Sequence, residues 1–197
     1  AKSDPRKWTG TNKQDIAMHH MIRGCILKND SIVSTNVSEF FEPICITSGE
    51  GIREDLSYQQ HNAQIYIGGY GTVFVNNISQ IAPLFRGTKY ALSEEKLKLF
   101  SEFVRSTYLN IFRGRYMDFS VCGRSVTRKK TLDPEHADEY DAAAKRFATQ
   151  NPTIGRTDIN KMYYTSDYML QNRKRYDLSV RAVSKRTCRS ESGNGEN

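Results

Sequence analysis

Residues 11–28 read TNKQDIAMHHMIRGCILK and predict the first helix of the chain. Thr11 and Gln14 have the spacing of a capping box, in which two side chains satisfy backbone N–H groups that the first helical turn leaves unpaired. The apolar side chains that follow recur with the period of one helix face: Met18, Met21, Ile22, Cys25 and Ile26. The stretch is therefore typical of an amphipathic helix.

Outward from this helix, the pattern predicts a mainly helical chain. Asn29-Asp30-Ser31 ends the first helix and caps a second, whose apolar stripe is closed by Pro43. Three more helical stripes follow: Val73 to Ile81, Ser93 to Ile111, and a stretch that starts at Asp133-Pro134. From Tyr176 to Ala182 apolar and polar residues alternate, which is the period of a half-buried strand. The sequence thus predicts a β element only near its end.

A different kind of segment interrupts the helices at residues 47–71, which read TSGEGIREDLSYQQHNAQIYIGGYG. Glycines, polar residues and aromatic residues occur there without a sustained period, which predicts a long ordered loop. Loops of this length inside a compact domain are usually functional. His61 lies in this loop, and Tyr70 follows nine residues later among glycines.

The composition is that of a folded globular chain, with 197 residues, 38% of them hydrophobic, and a formal net charge of +7. No apolar run approaches the ~20 residues that cross a bilayer, so the sequence predicts no membrane span. The chain begins at Ala1 without an initiator Met, which predicts a mature or excised piece of a longer protein. Its four cysteines are too far apart for a CxxC pair and leave free thiols and two disulfides equally open.

Positive charge is concentrated in two segments, residues 105–130 and residues 173–189. Clustered lysine and arginine attract polyanions, and nucleic acid, an anionic polysaccharide and a membrane surface all fit on charge alone. A solvated basic face explains the same clusters without any ligand.

Three kinds of side chain are candidates for chemistry. His61 is the best placed histidine, and the alternative for it is a structural bond to the backbone of the loop. Tyr70 could face a cleft or anchor the loop to the core. Arg124 and Arg128 are four residues apart, so on a helix they could clamp an anion or form a solvated face. The sequence has no nucleotide-binding, zinc or serine-hydrolase motif, which disfavours those classes.

Four phrases together resemble the polysaccharide lyases of the hyaluronate, chondroitin AC and xanthan lyase family. They are TGTNKQD at residues 9–15, EGIREDLSYQQHNAQIYIGGYG at 50–71, MDFSVCGRSVTR at 117–128 and SVRAVSKRTCRSESGNGEN at 179–197. The resemblance covers nearly the whole chain and implies a mainly α fold. Residues 1–170 would be the C-terminal part of an incomplete α/α toroid, and residues 171–197 the first strands of a β-sandwich domain.

The resemblance also implies a set of site residues. The family's catalytic positions fall on Asn12, His61, Tyr70, Arg124 and Glu191, and its substrate-binding positions on Arg128 and Asn194. The implied reaction is β-elimination at uronic-acid 4-linkages of chondroitin sulfate or hyaluronan, with no metal and no cofactor. Donors from Asn12 and His61 would stabilise the substrate carboxylate as it gains charge, and Tyr70 would act as base and then as acid.

The partner that the resemblance implies is an anionic polysaccharide rather than nucleic acid, and the implied location is secreted or periplasmic in a bacterium. A chain of this length is expected to hold the catalytic residues even if it lacks the surfaces needed for turnover. The residues alone leave two other functions open. One is a non-catalytic polyanion- or carbohydrate-binding module, and the other is a nucleic-acid binder whose affinity falls steeply with salt.

Overall fold

The computed structural model describes residues 3–114, 116–128 and 158–188. Within these ranges the α-helices are α1 Gly10–Ile26, α2 Asp30–Phe41, α3 Tyr70–Ile81 and α4 Glu94–Ser106. Two short antiparallel pairs are β1 Gly51–Ile52 with β2 Tyr58–Gln59, and β3 Phe112–Arg113 with β4 Tyr116–Met117. An antiparallel sheet follows, in the order β5 Ile159–Tyr163, β6 Tyr168–Asn172 and β7 Asp177–Arg181. In these described ranges, no helix is both long enough and apolar enough to cross a membrane.

Helices α1 and α2 pack closely because a glycine lies at their contact. A Cβ atom on Gly24 would stand 2.9 Å from Val33 Cγ2 and 3.0 Å from the Val33 backbone nitrogen. The connection between the helices ends at Asn29, whose side chain accepts the Ile32 N–H at 3.0 Å and caps α2.

Both predicted helices are present, but the start and the apolar face predicted for α1 are wrong. The N-cap is Thr9, which makes no side-chain capping bond, and Thr11 lies inside the helix. In the predicted apolar stripe, Ile22, Cys25 and Ile26 are exposed, and the buried face of α1 consists mostly of small and polar residues.

An aromatic cluster attaches the glycine-rich loop to α3 and α4. The ring of Tyr58 on β2 lies 5.2 Å from that of Phe74 on α3, and Phe74 lies 6.0 Å from both Phe100 and Phe103 on α4. All four side chains are fully buried. Burial of such a side chain contributes roughly 1.5–3 kcal/mol relative to exposure, so the cluster firmly holds β2 against the helices.

The turn between β5 and β6 holds the same loop through buried polar contacts. Asp55 accepts hydrogen bonds from the Thr165 N–H at 2.7 Å and from its hydroxyl at 2.8 Å. The hydroxyls of Ser57 and Ser166 lie 2.7 Å apart, and Gln59 Nε2 donates to the Thr165 carbonyl at 2.8 Å. The loop therefore lies between the helices and the sheet and is bound to both.

The mainly helical prediction is confirmed, and two further helix boundaries are corrected. The loop predicted to reach Gly71 ends earlier, because α3 already begins at Tyr70 with Gly69 at its N-cap. The stripe predicted to continue to Ile111 is broken at Thr107, which leaves the helical conformation and is followed by a separate 3-10 turn. The helix predicted from Asp133 lies outside the described residues.

The predicted strand near the C-terminus is confirmed as β7. The sequence pattern did not predict β5 and β6, which pair with it in the same sheet. Tyr163 and Tyr168 stack at 5.5 Å across these two strands and are fully buried. The division of the chain between residues 170 and 171 stays a prediction.

Asp55→Asn tests how strongly the sheet holds the loop. The substitution removes the charge of a buried acceptor that receives two hydrogen bonds from Thr165. Hydrogen bonds to charged groups contribute about 1.5–3 kcal/mol, and we expect the free energy of unfolding to fall by that amount in urea denaturation. The control is Glu54→Gln at the exposed neighbouring position, which should change stability by less than about 0.5 kcal/mol. Equal stabilities of the two variants would contradict this account.

Candidate active site

Tyr70 stands at the first position of α3, where close packing requires the glycines before it. A Cβ on Gly69 would lie 2.2 Å from Cε1 of Tyr66, and a Cβ on Gly68 would lie 2.4 Å from Sδ of Met117. The rings of Tyr66 and Tyr70 then meet edge to face at 5.0 Å. Tyr70 is half-buried, so its ring is held against the core while part of it stays accessible.

His61 lies beside Tyr70 in a strained part of the loop. Their ring centroids are 4.7 Å apart, at an interplanar angle of 45°. His61 has φ +55° and Asn62 has φ +69°, which is a left-handed backbone conformation that residues other than glycine rarely adopt. Such a conformation costs most residues roughly 1–2 kcal/mol, and asparagine and histidine adopt it more often than other residues. The surrounding contacts must therefore hold His61 in place.

Arg124 reaches both of these side chains from a 3-10 turn over Gly123–Thr127. Its Nη1 lies 3.3 Å from His61 Nδ1, and its Nη2 donates to the Tyr70 hydroxyl at 3.3 Å. A guanidinium has only donors, so Nδ1 of His61 is the acceptor in this contact. In that arrangement the ring proton of neutral His61 is on Nε2. The site thus joins a cation, a phenol and an imidazole with a donor N–H.

Tyr66 is a further residue of the candidate site, and the sequence pattern does not indicate it. It is 1% exposed, and its hydroxyl accepts the backbone N–H of Arg124 at 3.1 Å. A Cβ on Gly123, which has φ +56°, would lie 2.3 Å from Tyr66 Cζ. The only signal in the sequence was its place four residues before Tyr70 in the same glycine-rich stretch.

The N-terminus of α1 is bound to the same loop through Thr11. The Thr11 hydroxyl donates to the Tyr70 carbonyl at 3.0 Å and lies 2.9 Å from the Tyr58 hydroxyl. The Thr11 N–H donates to Gln60 Oε1 at 3.4 Å, and Gln60 directly precedes His61. Asn12 follows in the first turn of α1 and is half-buried. These contacts bring the segments that carry Asn12, His61 and Tyr70 together.

Two other groups that could release a proton near the site are made poor bases by burial. Burial raises the pKa of Tyr58 above its ordinary value, and that of the Cys122 thiol to about 12. Both groups are fully buried. Tyr70 is instead half-buried and has the Arg124 cation at its hydroxyl, so it is the better candidate base.

Of the remaining predicted residues, Arg128 alone lies within the part of the chain that the structure describes. Arg128 ends the Gly123–Thr127 turn and is exposed, and because the turn is not an α-helix, the four-residue spacing does not place it beside Arg124. Glu191 and Asn194 lie outside the described residues. The described chain ends close to the loop, since the Cys188 N–H donates to the Ala63 carbonyl at 3.1 Å.

Several cations of the two basic segments are bound within the chain itself. Arg113 forms an ion pair with Asp177 at 3.4 Å, and Arg186 pairs with Asp167. Arg181 donates to two backbone carbonyls, each at 3.0 Å. The two ion pairs offset part of the positive charge that the clusters offer to a polyanion, and the two carbonyls occupy donors of Arg181.

Comparison with known proteins identifies related folds and sequences. The model of the polysaccharide lyase family 8 N-terminal alpha-helical domain matches residues 1–175, and that of its super-sandwich domain matches residues 158–197. The chain is 38% identical to chondroitinase-AC of Pedobacter heparinus, over all of this chain and 30% of that protein. It is 24% identical to a hyaluronate lyase of Enterococcus faecalis, over 96% of this chain and 24% of that protein.

Solved structures agree with these matches. A chondroitinase AC lyase studied in oligosaccharide complexes superposes with a TM-score of 0.82 at 37% identity, over 98% of this chain and 31% of that one. A Paenibacillus xanthan lyase gives a TM-score of 0.80 at 17% identity, over 95% of this chain and 22% of that one, which is a likeness of fold. The resemblance inferred from the four sequence phrases is confirmed, and the chain belongs to polysaccharide lyase family 8.

Proposed function

We propose that this site cleaves the uronic-acid 4-linkages of chondroitin sulfate or hyaluronan by metal-independent β-elimination. The observation that carries the proposal is the Arg124 guanidinium, 3.3 Å from both His61 Nδ1 and the Tyr70 hydroxyl. The relatives named as a chondroitinase and a hyaluronate lyase support this substrate class. Because the chain spans 30% of the length of the Pedobacter relative, we assign the activity to the full-length gene product that contains it.

In the proposed reaction, Tyr70 first acts as a phenolate base. It removes the proton from C5 of the uronate, and the electron pair of that C–H bond forms the double bond between C4 and C5. The bond between C4 and the glycosidic oxygen breaks, and that oxygen takes the proton from the Tyr70 hydroxyl. The products are a free sugar hydroxyl and an unsaturated uronate. No water is consumed, so the reaction does not need the carboxylate pair that glycoside hydrolysis uses.

Arg124 supplies the charge that makes a tyrosine base feasible. A guanidinium is protonated throughout the physiological pH range, so Arg124 presents a fixed positive charge to the Tyr70 oxygen. The 3.3 Å contact between Arg124 Nη2 and the Tyr70 oxygen supports this role.

Asn12 and His61 would stabilise the charge that moves into the uronate carboxylate when the C5 proton leaves. Amide and imidazole N–H donors aimed at that carboxylate act in the manner of an oxyanion hole. The first turn of α1, where Asn12 stands, also contributes the partial positive charge of a helix N-terminus. This placement favours a role for Asn12 in binding an anion.

The remaining three predicted residues complete the proposal. We assign Glu191 to support of His61, and Arg128 and Asn194 to substrate binding. The contact of Cys188 with Ala63 supports the assignment of Glu191, since it brings the chain beside the His61 loop three residues earlier. A polymeric, highly charged substrate does not cross the cytoplasmic membrane, which supports a secreted or periplasmic enzyme.

Tyr70→Phe should remove the base and the acid together while keeping the ring. We expect turnover to fall by at least about 10³-fold, since a single proton-transfer role contributes roughly 10²–10⁴-fold. The measurement is absorbance near 232 nm, where an unsaturated uronate absorbs, with chondroitin sulfate and hyaluronan in EDTA. Both the 197-residue chain and the full-length gene product are assayed.

The control is Tyr116→Phe, because Tyr116 is 62% exposed and lies outside the cluster. It should retain wild-type turnover. Absence of product from both wild-type proteins would contradict the proposed reaction on these substrates. Salt-sensitive binding of the polymers without product would then favour a polyanion-binding module.

Asn12→Ala should remove one donor to the uronate carboxylate. Loss of one oxyanion donor typically lowers kcat by about 10²–10³-fold, and we expect a fall of that size with little change in thermal stability. The matched control is Asn160→Ala, at an exposed position on β5. The measurement is kcat of each variant, obtained from initial rates over a range of substrate concentrations. A kcat of Asn12→Ala within threefold of wild type would rule out the assigned role.

A further inference from the structure

Glu50 lies at the base of the glycine-rich loop and receives three hydrogen bonds. Its Oε2 accepts from the Thr9 hydroxyl at 2.7 Å and from Gln60 Nε2 at 2.9 Å. Its Oε1 accepts the Asn62 N–H at 3.0 Å. Both carboxylate oxygens are therefore used, and all three partners are donors.

These donors belong to the two segments that carry Asn12 and His61. Thr9 is the N-cap residue of α1, three positions before Asn12. Gln60 and Asn62 directly flank His61 on its two sides. Glu50 thus connects the start of α1 to the residues on both sides of His61.

The left-handed conformations of His61 and Asn62 need such a connection. Their φ values, +55° and +69°, persist only where surrounding contacts over-determine them. The bond from the Asn62 N–H to Glu50 fixes the residue after His61, and the bond from the Gln60 side chain fixes the residue before it. A carboxylate suits this role because it accepts at both oxygens, whereas a glutamine at this position would point donor N–H groups at donors.

We propose that Glu50 is a positioning residue of the elimination reaction, which holds His61 and the Asn12-bearing turn in their working arrangement. The inference rests on the proposed function for its catalytic consequence. Its structural part, the fixing of Asn62 by the Glu50 carboxylate, can be measured independently of activity. Glu50 acts through its three partners, not by contact with the substrate.

The test compares Glu50→Gln with Glu54→Gln in the full-length gene product. Glu54 is a suitable control because it lines the same cavity of about 650 Å³ beside Glu50 and Asn62 and is exposed. Both substitutions remove one negative charge from that cavity and keep the side-chain shape. For Glu50→Gln we expect kcat to fall at least 10-fold, with KM within twofold of wild type and a smaller loss of thermal stability than in Asp55→Asn, because Glu50 is half-buried whereas Asp55 is buried. Glu54→Gln should leave all three quantities unchanged.

Hydrogen exchange of the Asn62 amide, followed by NMR, provides the readout that does not depend on activity. We expect this amide to exchange at least 10-fold faster in Glu50→Gln than in wild type, with no change in Glu54→Gln. A kcat within twofold of wild type overturns the proposal, and so does a loss of kcat accompanied by a loss of thermal stability as large as that of Asp55→Asn.

The two inferences fail in different ways. If wild-type protein yields no unsaturated product, the proposed function fails, and the Asn62 exchange rate alone decides whether Glu50 holds the loop. If wild type is active but Asn62 exchange is unchanged in Glu50→Gln, the elimination stands and the role of Glu50 is rejected.

Discussion

The geometry of the site depends on the packing of Gly69, Gly123 and Tyr70 against the buried ring of Tyr66. Cβ atoms on Gly69 and Gly123 would lie within 2.2 and 2.3 Å of this ring, so only glycine allows both backbones to approach it. Tyr66 packs against Tyr70 on one side and accepts the backbone N–H of Arg124 on the other. The hydrogen bond of 3.3 Å from Arg124 to Tyr70 is at the long, weak end of the range, so the shared ring does more than that bond to set their relative position.

The polar groups beneath the site are buried. The free-energy cost of leaving such a group without a hydrogen bond explains why their arrangement is specific. Thr11, Tyr58 and Gln60 are each at most 1% exposed, and each polar side chain has a partner within the group. An unpaired polar group at such a position would cost about 1–3 kcal/mol, which disfavours other packings of the same segments. His61 and Tyr70 remain half-buried above this layer. Electrostatic preorganisation requires accessible polar groups that are held in place by a layer of hydrogen-bonded side chains beneath them.

The helices were predictable because their signals are local, whereas the contacts of the site were not. The helical period predicts the extent of α1 and the Asn29 cap predicts the start of α2, but the predicted apolar stripe does not mark the buried face of α1, which is mostly small and polar. The glycines before Tyr70 mask the start of α3, so the sequence pattern places Tyr70 in the loop. Strands β5 and β6 were missed because the sequence around their turn is mostly polar and aromatic without a clear alternation. The meeting of His61 with Arg124 joins residues 63 positions apart, and periodicity carries no such information. Only the resemblance to a family grouped these residues beforehand, and it did not indicate Glu50 or Tyr66.

The sheet is part of the support of the site, although it belongs to the region matched by the super-sandwich model. The two family models overlap at residues 158–175, and the contacts in that overlap reach the helical part directly. Asn172 Nδ2 donates to the Asn110 carbonyl at 2.8 Å, and the Tyr168 hydroxyl donates to Asp118 at 2.7 Å. Asp118 lies in the segment that leads to Arg124, and Thr165 holds the loop that leads to His61. The helices alone therefore do not fix the distance between His61 and Arg124. The loop that carries His61 and the segment that carries Arg124 are both hydrogen-bonded to the sheet of β5, β6 and β7, the loop at the turn between β5 and β6.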